Sequence, residues 1–189
     1  MNNKTFLRRA ALGAALLVLA VGGGPKGPSP ARAGGVAEYQ AKAAFLYNFT
    51  KFVQWPESAF ASKTSPLVIG VLGSDPFGPS LDQAVAGKTA EGHPLKVVRI
   101  SATGSPQVSK CHILFVCSSE KERVGDLLSN LEGVGVLTVS DLDRFAQKGG
   151  MIQFDQDGGR ISLVVNVGAA KKGNLVISAK LLQVAKVLK

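Results

Sequence analysis

Leu67-Val-Ile-Gly-Val-Leu-Gly-Ser-Asp-Pro-Phe-Gly-Pro79 is a wholly apolar run of six residues that breaks into a turn. A charge-free run this short reads as a strand buried on both faces, the kind found in parallel sheets. The turn leads into a helix that ends near Gly87, and residues 95–100 and 111–117 then repeat the strand pattern. A capping signal at Ser119 and Glu122 predicts a helix through Leu131, stopped by Gly133. Residues 136–139 read as a fourth strand, and Ser140 with Asp143 opens a brief helix that Gly149-Gly150 ends.

The pattern changes after that point. Met151 to Phe154, then Asp157-Gly158-Gly159, then Ile161 to Val167 predicts a β-hairpin, because Asp-Gly supplies the positive φ of a tight turn. A helix is predicted from Ser178, with Leu181, Val184, Ala185 and Leu188 on its apolar face. Upstream, residues 37–55 read as a helix whose apolar stripe is Ala41, Phe45, Phe49 and Phe52, with Lys42 and Lys51 off it and Pro56 as its end. Strand–helix alternation followed by a hairpin predicts an α/β fold, a three-layer sandwich with a mostly parallel central sheet and a C-terminal antiparallel hairpin. Ligands of such sheets bind beyond the carboxyl ends of the strands, here Gly73–Gly78, Cys117–Ser119 and Ser140–Asp141.

Residues 1–33 carry the parts of a secretory signal peptide. Lys4, Arg8 and Arg9 form the basic start, and residues 10–21 are free of charge and hold four leucines. Ala31-Arg32-Ala33 fits the small-residue cleavage rule. The apolar run is about twelve residues, short of the roughly 20 that span a membrane. The expectation is an exported, periplasmic protein cleaved near Ala33, with residues 34–189 forming one domain. The net charge of +9 then falls, because Lys4, Arg8, Arg9, Lys26 and Arg32 leave with the signal, and the remaining excess is no nucleic-acid footprint. Cys111 and Cys117 bracket a strand. Six positions at about 3.3 Å each separate them by roughly 20 Å, far beyond the ~7 Å a disulfide allows. Both are expected to be free thiols, Cys111 buried and Cys117 the more exposed.

Chemistry is poorly supplied. The chain has two histidines, His93 beside Pro94 in a turn and His112 in a strand, and neither has a metal-ligand partner at helical spacing. No nucleophile elbow or phosphate-binding loop is present. No enzyme activity, no metal and no cofactor is expected. The candidates for binding a partner or ligand are Lys42, Tyr47, Trp55, Asp75 and Phe77. Asp75 and Phe77 stand in the strand-to-helix turn, where a small anionic or aromatic ligand is one reading and a plain capping turn the other. Tyr47 and Trp55 suit an interface centre, and a Trp at a helix end also suits the edge of a core.

The run Glu38-Tyr-Gln-Ala-Lys-Ala-Ala-Phe-Leu-Tyr-Asn-Phe-Thr-Lys-Phe-Val-Gln-Trp-Pro56 resembles the opening helix of the YfiR-like periplasmic proteins. The resemblance continues through Val68–Gly78, Cys111–Val116, Leu137–Asp141, Phe145–Phe154, Val165-Asn-Val167, Ala169-Ala170 and Leu175–Leu182. It implies a small α/β domain that binds the periplasmic sensor region of an inner-membrane diguanylate cyclase and represses it. It also implies release by an outer-membrane lipoprotein, an effect on cyclic-di-GMP and biofilm formation, and a homodimer. The alternative class is a periplasmic small-molecule-binding receptor. The family pattern includes a disulfide from the first strand to the position of Cys111. The matching strand here, residues 67–72, has no cysteine, so redox control through that bridge is not expected.

Overall fold

The computed structural model describes residues 30–157 and 159–188; residues 1–29 of the signal-peptide reading (1–33) lie outside them, and its cleavage segment 31–33 falls within α1. The chain runs α1 (Pro30–Phe52), β1 (Val53–Gln54), β2 (Leu67–Leu72), α2 (Pro79–Val85), β3 (Thr89–Ala90), β4 (His93–Ile100), β5 (Ile113–Val116) and α3 (Val124–Asn130). It continues through β6 (Leu137–Ser140), β7 (Ile152–Asp157), β8 (Arg160–Asn166), α4 (Val167–Lys172), β9 (Val176–Ile177), α5 (Ala179–Gln183) and β10 (Lys186–Leu188).

Eight strands form one sheet in the order β10-β8-β7-β6-β5-β2-β4-β3. The five strands β4, β2, β5, β6 and β7 are mutually parallel. β8 turns back antiparallel to β7 with Ile152 opposite Val165, as the hairpin reading requires. Alternation along the strands then sorts the core into two faces. Leu67, Ile69, Val71, Ile113, Phe115, Leu137 and Val139 face α1 and α2, packing with Ala43, Leu46, Phe49 and Leu81. Leu72, Leu114 and Val116 face the other way, toward Val124 and Leu127 of α3, Leu131 just past its end, and Phe145. Helices cover both faces, which is the three-layer α/β architecture expected.

Several elements differ from their sequence reading. The first helix begins at Pro30 and ends at Phe52, because Val53 and Gln54 leave it to pair antiparallel with Ile177 and Val176 of β9. The Ser178 N–H donates to the Phe52 carbonyl (2.8 Å) and secures that junction. The buried stripe of α1 is Lys42, Ala43, Leu46, Phe49 and Thr50. It is rotated from the one expected: Ala41 faces solvent, and Phe45 and Phe52 are half-buried. Lys42, assigned off the stripe, lies on it.

The capping box at Ser119 and Glu122 does not form. Ser119 Oγ accepts the Ser74 N–H and donates to Glu120, residues 118–123 make a 3-10 turn, and α3 starts at Val124. Ser140 Oγ accepts the Leu142 N–H (3.1 Å) and donates to the Val116 carbonyl (2.7 Å), and the chain beyond it forms successive turns, not the brief helix expected. The last helix is a single short turn capped by Ser178; Val184 is 72 % exposed, and Leu188 belongs to the edge strand β10, parallel to β8.

Candidate functional site

In chain order the parallel strands β2, β4, β5, β6 and β7 take the arrangement 2-1-3-4-5, so the connections reverse direction between β2 and β5. That reversal is where doubly wound sheets open a ligand crevice. Here it is closed. Gly73 leaves β2 at φ +97°, and a Cβ on it would stand 2.2 Å from Ser119 Oγ and within 3.0 Å of Glu120. The buried Glu120 side chain fills the position and pairs with Arg123 (3.3 Å). Only a glycine lets the two loops approach this closely.

The turn that follows is held by its own residues. Asp75 accepts the Phe77 N–H (2.7 Å) and Arg99 Nε (3.0 Å). From β4, Arg99 also grips both oxygens of Asp82 on α2 (2.7 and 2.6 Å) and the Gly78 carbonyl (2.9 Å). This planar fork matches a carboxylate as only arginine can. It holds the Asp82 carboxyl below its usual range. Phe77 is buried, edge-on to Tyr39 (5.4 Å) and Phe115 (4.7 Å). Asp75 and Phe77 are packed and hydrogen-bonded within the fold, and Asp75 does not cap α2, whose N-cap is Gly78. Arg99, which organises them, carried no sequence signal; only the register of β4 beside β2 places it there.

Beside this turn lies a charged cluster. Lys42 Nζ meets Asp141 (2.6 Å) and Glu38 (2.5 Å) with its side chain only 3 % exposed. Tyr39 donates its hydroxyl to the same Asp141 oxygen (2.7 Å), and burial followed by that carboxylate pushes the phenol's ionisation well above its ordinary range. A buried ammonium demands such partners, since an uncompensated one would cost several kcal/mol, about 3–5. The cluster floors a cleft of about 240 Å³ lined by Glu38, Lys42, Asp141, Asp143, Gln153 and Asp155, with Phe154 and Gln156. Four carboxylates against one lysine give it a negative field.

The other two candidates lie elsewhere. The Tyr47 ring sits between the ammonium groups of Lys51 (4.4 Å) and Lys88 (4.1 Å). Trp55 is a core-edge residue: its indole N–H donates to the His112 carbonyl (3.1 Å), and the ring packs edge-on to His112. His112 is locked at both nitrogens. Its Nδ1 accepts the Val68 N–H (3.0 Å), so Nε2 carries the proton and donates to the Ala59 carbonyl (3.2 Å). Phe60 stacks between His112 and His93, and His93 Nδ1 donates to the Ser65 carbonyl (2.7 Å). Both histidines thus fasten the 57–65 loop to the sheet. The five candidate residues do not make one site; Lys42, Asp75 and Phe77 gather at the carboxyl end, and Tyr47 and Trp55 stand apart.

Cys111 and Cys117 are free and buried, so Cys117 is less accessible than its place at a strand end suggested. Burial pushes each thiol up to about 12. The β2 residue facing Cys111 is Gly70, where an added Cβ would lie 2.5 Å from the Cys111 sulfur. Among the described residues no group of three His, Cys, Asp or Glu side chains is placed to hold a metal ion. Nor is any described helix long and apolar enough to cross a membrane.

Comparison with known proteins adds a family. A model of proteins described as YfiR/HmsC-like matches residues 39–186, from the Tyr39–Asp141 contact to the edge strand β10. No curated protein matches the chain. Among solved structures, a conserved domain protein from Vibrio cholerae O1 biovar El Tor str. N16961 is similar at 14% identity and a TM-score of 0.48. The match covers 65% of this chain and 55% of that one, so this chain spans about half of it.

Proposed function

The chain belongs to the YfiR/HmsC-like family, and from that premise we propose that it is a non-enzymatic periplasmic regulator of a membrane diguanylate cyclase. It binds the cyclase's periplasmic sensor region and favours the inactive state, lowering cyclic-di-GMP and with it biofilm formation. A partner that binds one state of an enzyme better than another shifts the population by that difference in affinity and needs no chemistry of its own. The observation that carries this reading is the extent of the family match, which takes in every strand of the central sheet except the last two residues of the edge strand β10. An outer-membrane lipoprotein that relieves the repression and a homodimeric state belong to the same proposal.

The surface offered to the sensor region is the acidic cleft beside Lys42. Its excess of carboxylates suits a lysine or arginine side chain, and oppositely charged patches speed encounter and fix register. Deleting the gene tests the proposal: cyclic-di-GMP should rise, and the intact gene should restore it. Complementation with Asp143→Lys/Asp155→Lys should fail to do so. A deletion strain with unchanged cyclic-di-GMP would overturn the regulator reading.

A further inference from the structure

A second cleft lies away from the carboxyl ends of the strands, and nothing in the regulator proposal uses it. It encloses about 320 Å³ between the end of α3, the turn before β7 and the start of α4. That volume is at the lower end of small-molecule sites. Its floor is Leu131, Thr138 and Met151, all buried, and its rim carries Lys148, Lys172 and Glu132, all exposed.

Three features say what would fit. The first is Thr138, 2 % exposed, whose oxygen accepts the Met151 N–H (3.1 Å). That bond uses a lone pair of the hydroxyl, so its proton is free to turn toward the cleft. The second is charge. Lys148 has no carboxylate within ion-pair distance among the described residues, while Lys172 is paired only to Glu132 (2.7 Å) across the rim. An exposed pair of that kind holds weakly and exchanges partners easily. The third is space: at Gly125 and Gly149 an added Cβ would meet no atom within 4 Å, so the cleft is open beside backbone that carries no side chain. Leu128, Leu131, Met151 and Ala169 supply apolar wall between the polar groups.

We propose that this cleft binds a small monocarboxylate with a compact apolar body, its carboxylate taken by Lys148, Lys172 and the Thr138 hydroxyl and its apolar body by the Leu128–Met151 wall. The site is separate from the acidic cleft and has the opposite charge preference. Binding is read on the purified protein and does not depend on which partner the protein regulates.

Titration calorimetry tests this with phenylacetate and octanoate, each against its neutral amide. Gly125→Leu is the blocking variant. Position 125 is helical with open space beside it, so leucine there should keep or improve stability. At least one acid should bind saturably at one site per chain, with its amide weaker by about tenfold, the worth of one charge-assisted hydrogen bond. Lys148→Gln should weaken the acid by a similar factor, and Gly125→Leu should abolish binding while melting no lower than the parent. The aromatic and aliphatic arms show which apolar body fits. No saturable binding by either acid, equal binding of acids and amides, or binding that survives Gly125→Leu would overturn the proposal.

Discussion

Single residues in this protein take their meaning from partners far away in the chain. Lys42 is a lysine on a helix between alanines, and its burial is forced by Asp141, 99 positions on. Lys42→Met should cost about 1–3 kcal/mol, because the partly exposed Asp141 and Glu38 would keep their charges without the ammonium between them. Adding Asp141→Asn should return part of that loss in urea unfolding; a Lys42→Met protein as stable as the parent would refute the account. His112 makes a second case. Burial, and the nearby His93, lower its affinity for a proton, partly opposed by the bond to Ala59. Protonation would also turn Nδ1 into a donor facing the Val68 N–H. The folded pKa lies below the unfolded value of 6.5, so the contribution to stability is complete above about pH 6.5. It is lost as pH falls from there through the folded pKa, since the unfolded chain takes up the proton first. The melting temperature should fall between pH 7.5 and 5.5, and His112→Asn should flatten that slope.

Elements were legible where their own pattern was enough. Strands β2 and β5 face apolar layers on both sides, so an unbroken apolar run identifies each without knowledge of its neighbours. The two- and three-residue strands β1, β3, β9 and β10 carry no period to read, and only the pairing partner defines them. Helix α4 was missed because the hairpin pattern runs directly into it, with Asn166 ending β8 and capping the helix through the Ala169 N–H (2.9 Å). The close fit of β2 against the segment before β5 is testable at Gly70. Gly70→Ala places a methyl 2.5 Å from Cys111 Sγ and 3.0 Å from Leu114 Cδ1, an overpacking expected to cost about 1–3 kcal/mol. Cys111→Ala in the same chain should recover much of it, measured as the shift in urea midpoint. A double variant no more stable than Gly70→Ala would place the strain elsewhere.

At the scale of the molecule the layer order was readable, since alternating strands and helices with a terminal hairpin admit few arrangements. What fills the crevice was not. The sequence left a ligand site and a plain capping turn at Asp75–Gly78 as two readings, because the residues packed against it, Ser119, Glu120 and Arg99, come from other loops and from the neighbouring strand. The acidic cleft likewise joins α1, the turn after β6 and β7, three segments with no local sign that they meet.

The pairing of Val53 and Gln54 with Val176 and Ile177 also sets an order in time. Synthesis runs from the N-terminus, so α1 exists long before the residues that close over it. Phe49 must wait for Phe154, and Phe52 for the Ser178 amide. Contacts of such long sequence separation are slow to form, and an apolar face left bare meanwhile invites association with other unfinished chains. Helix α1, synthesised early, is among the last elements to be sheltered, and bare apolar surface of that kind is prone to association until the chain is complete.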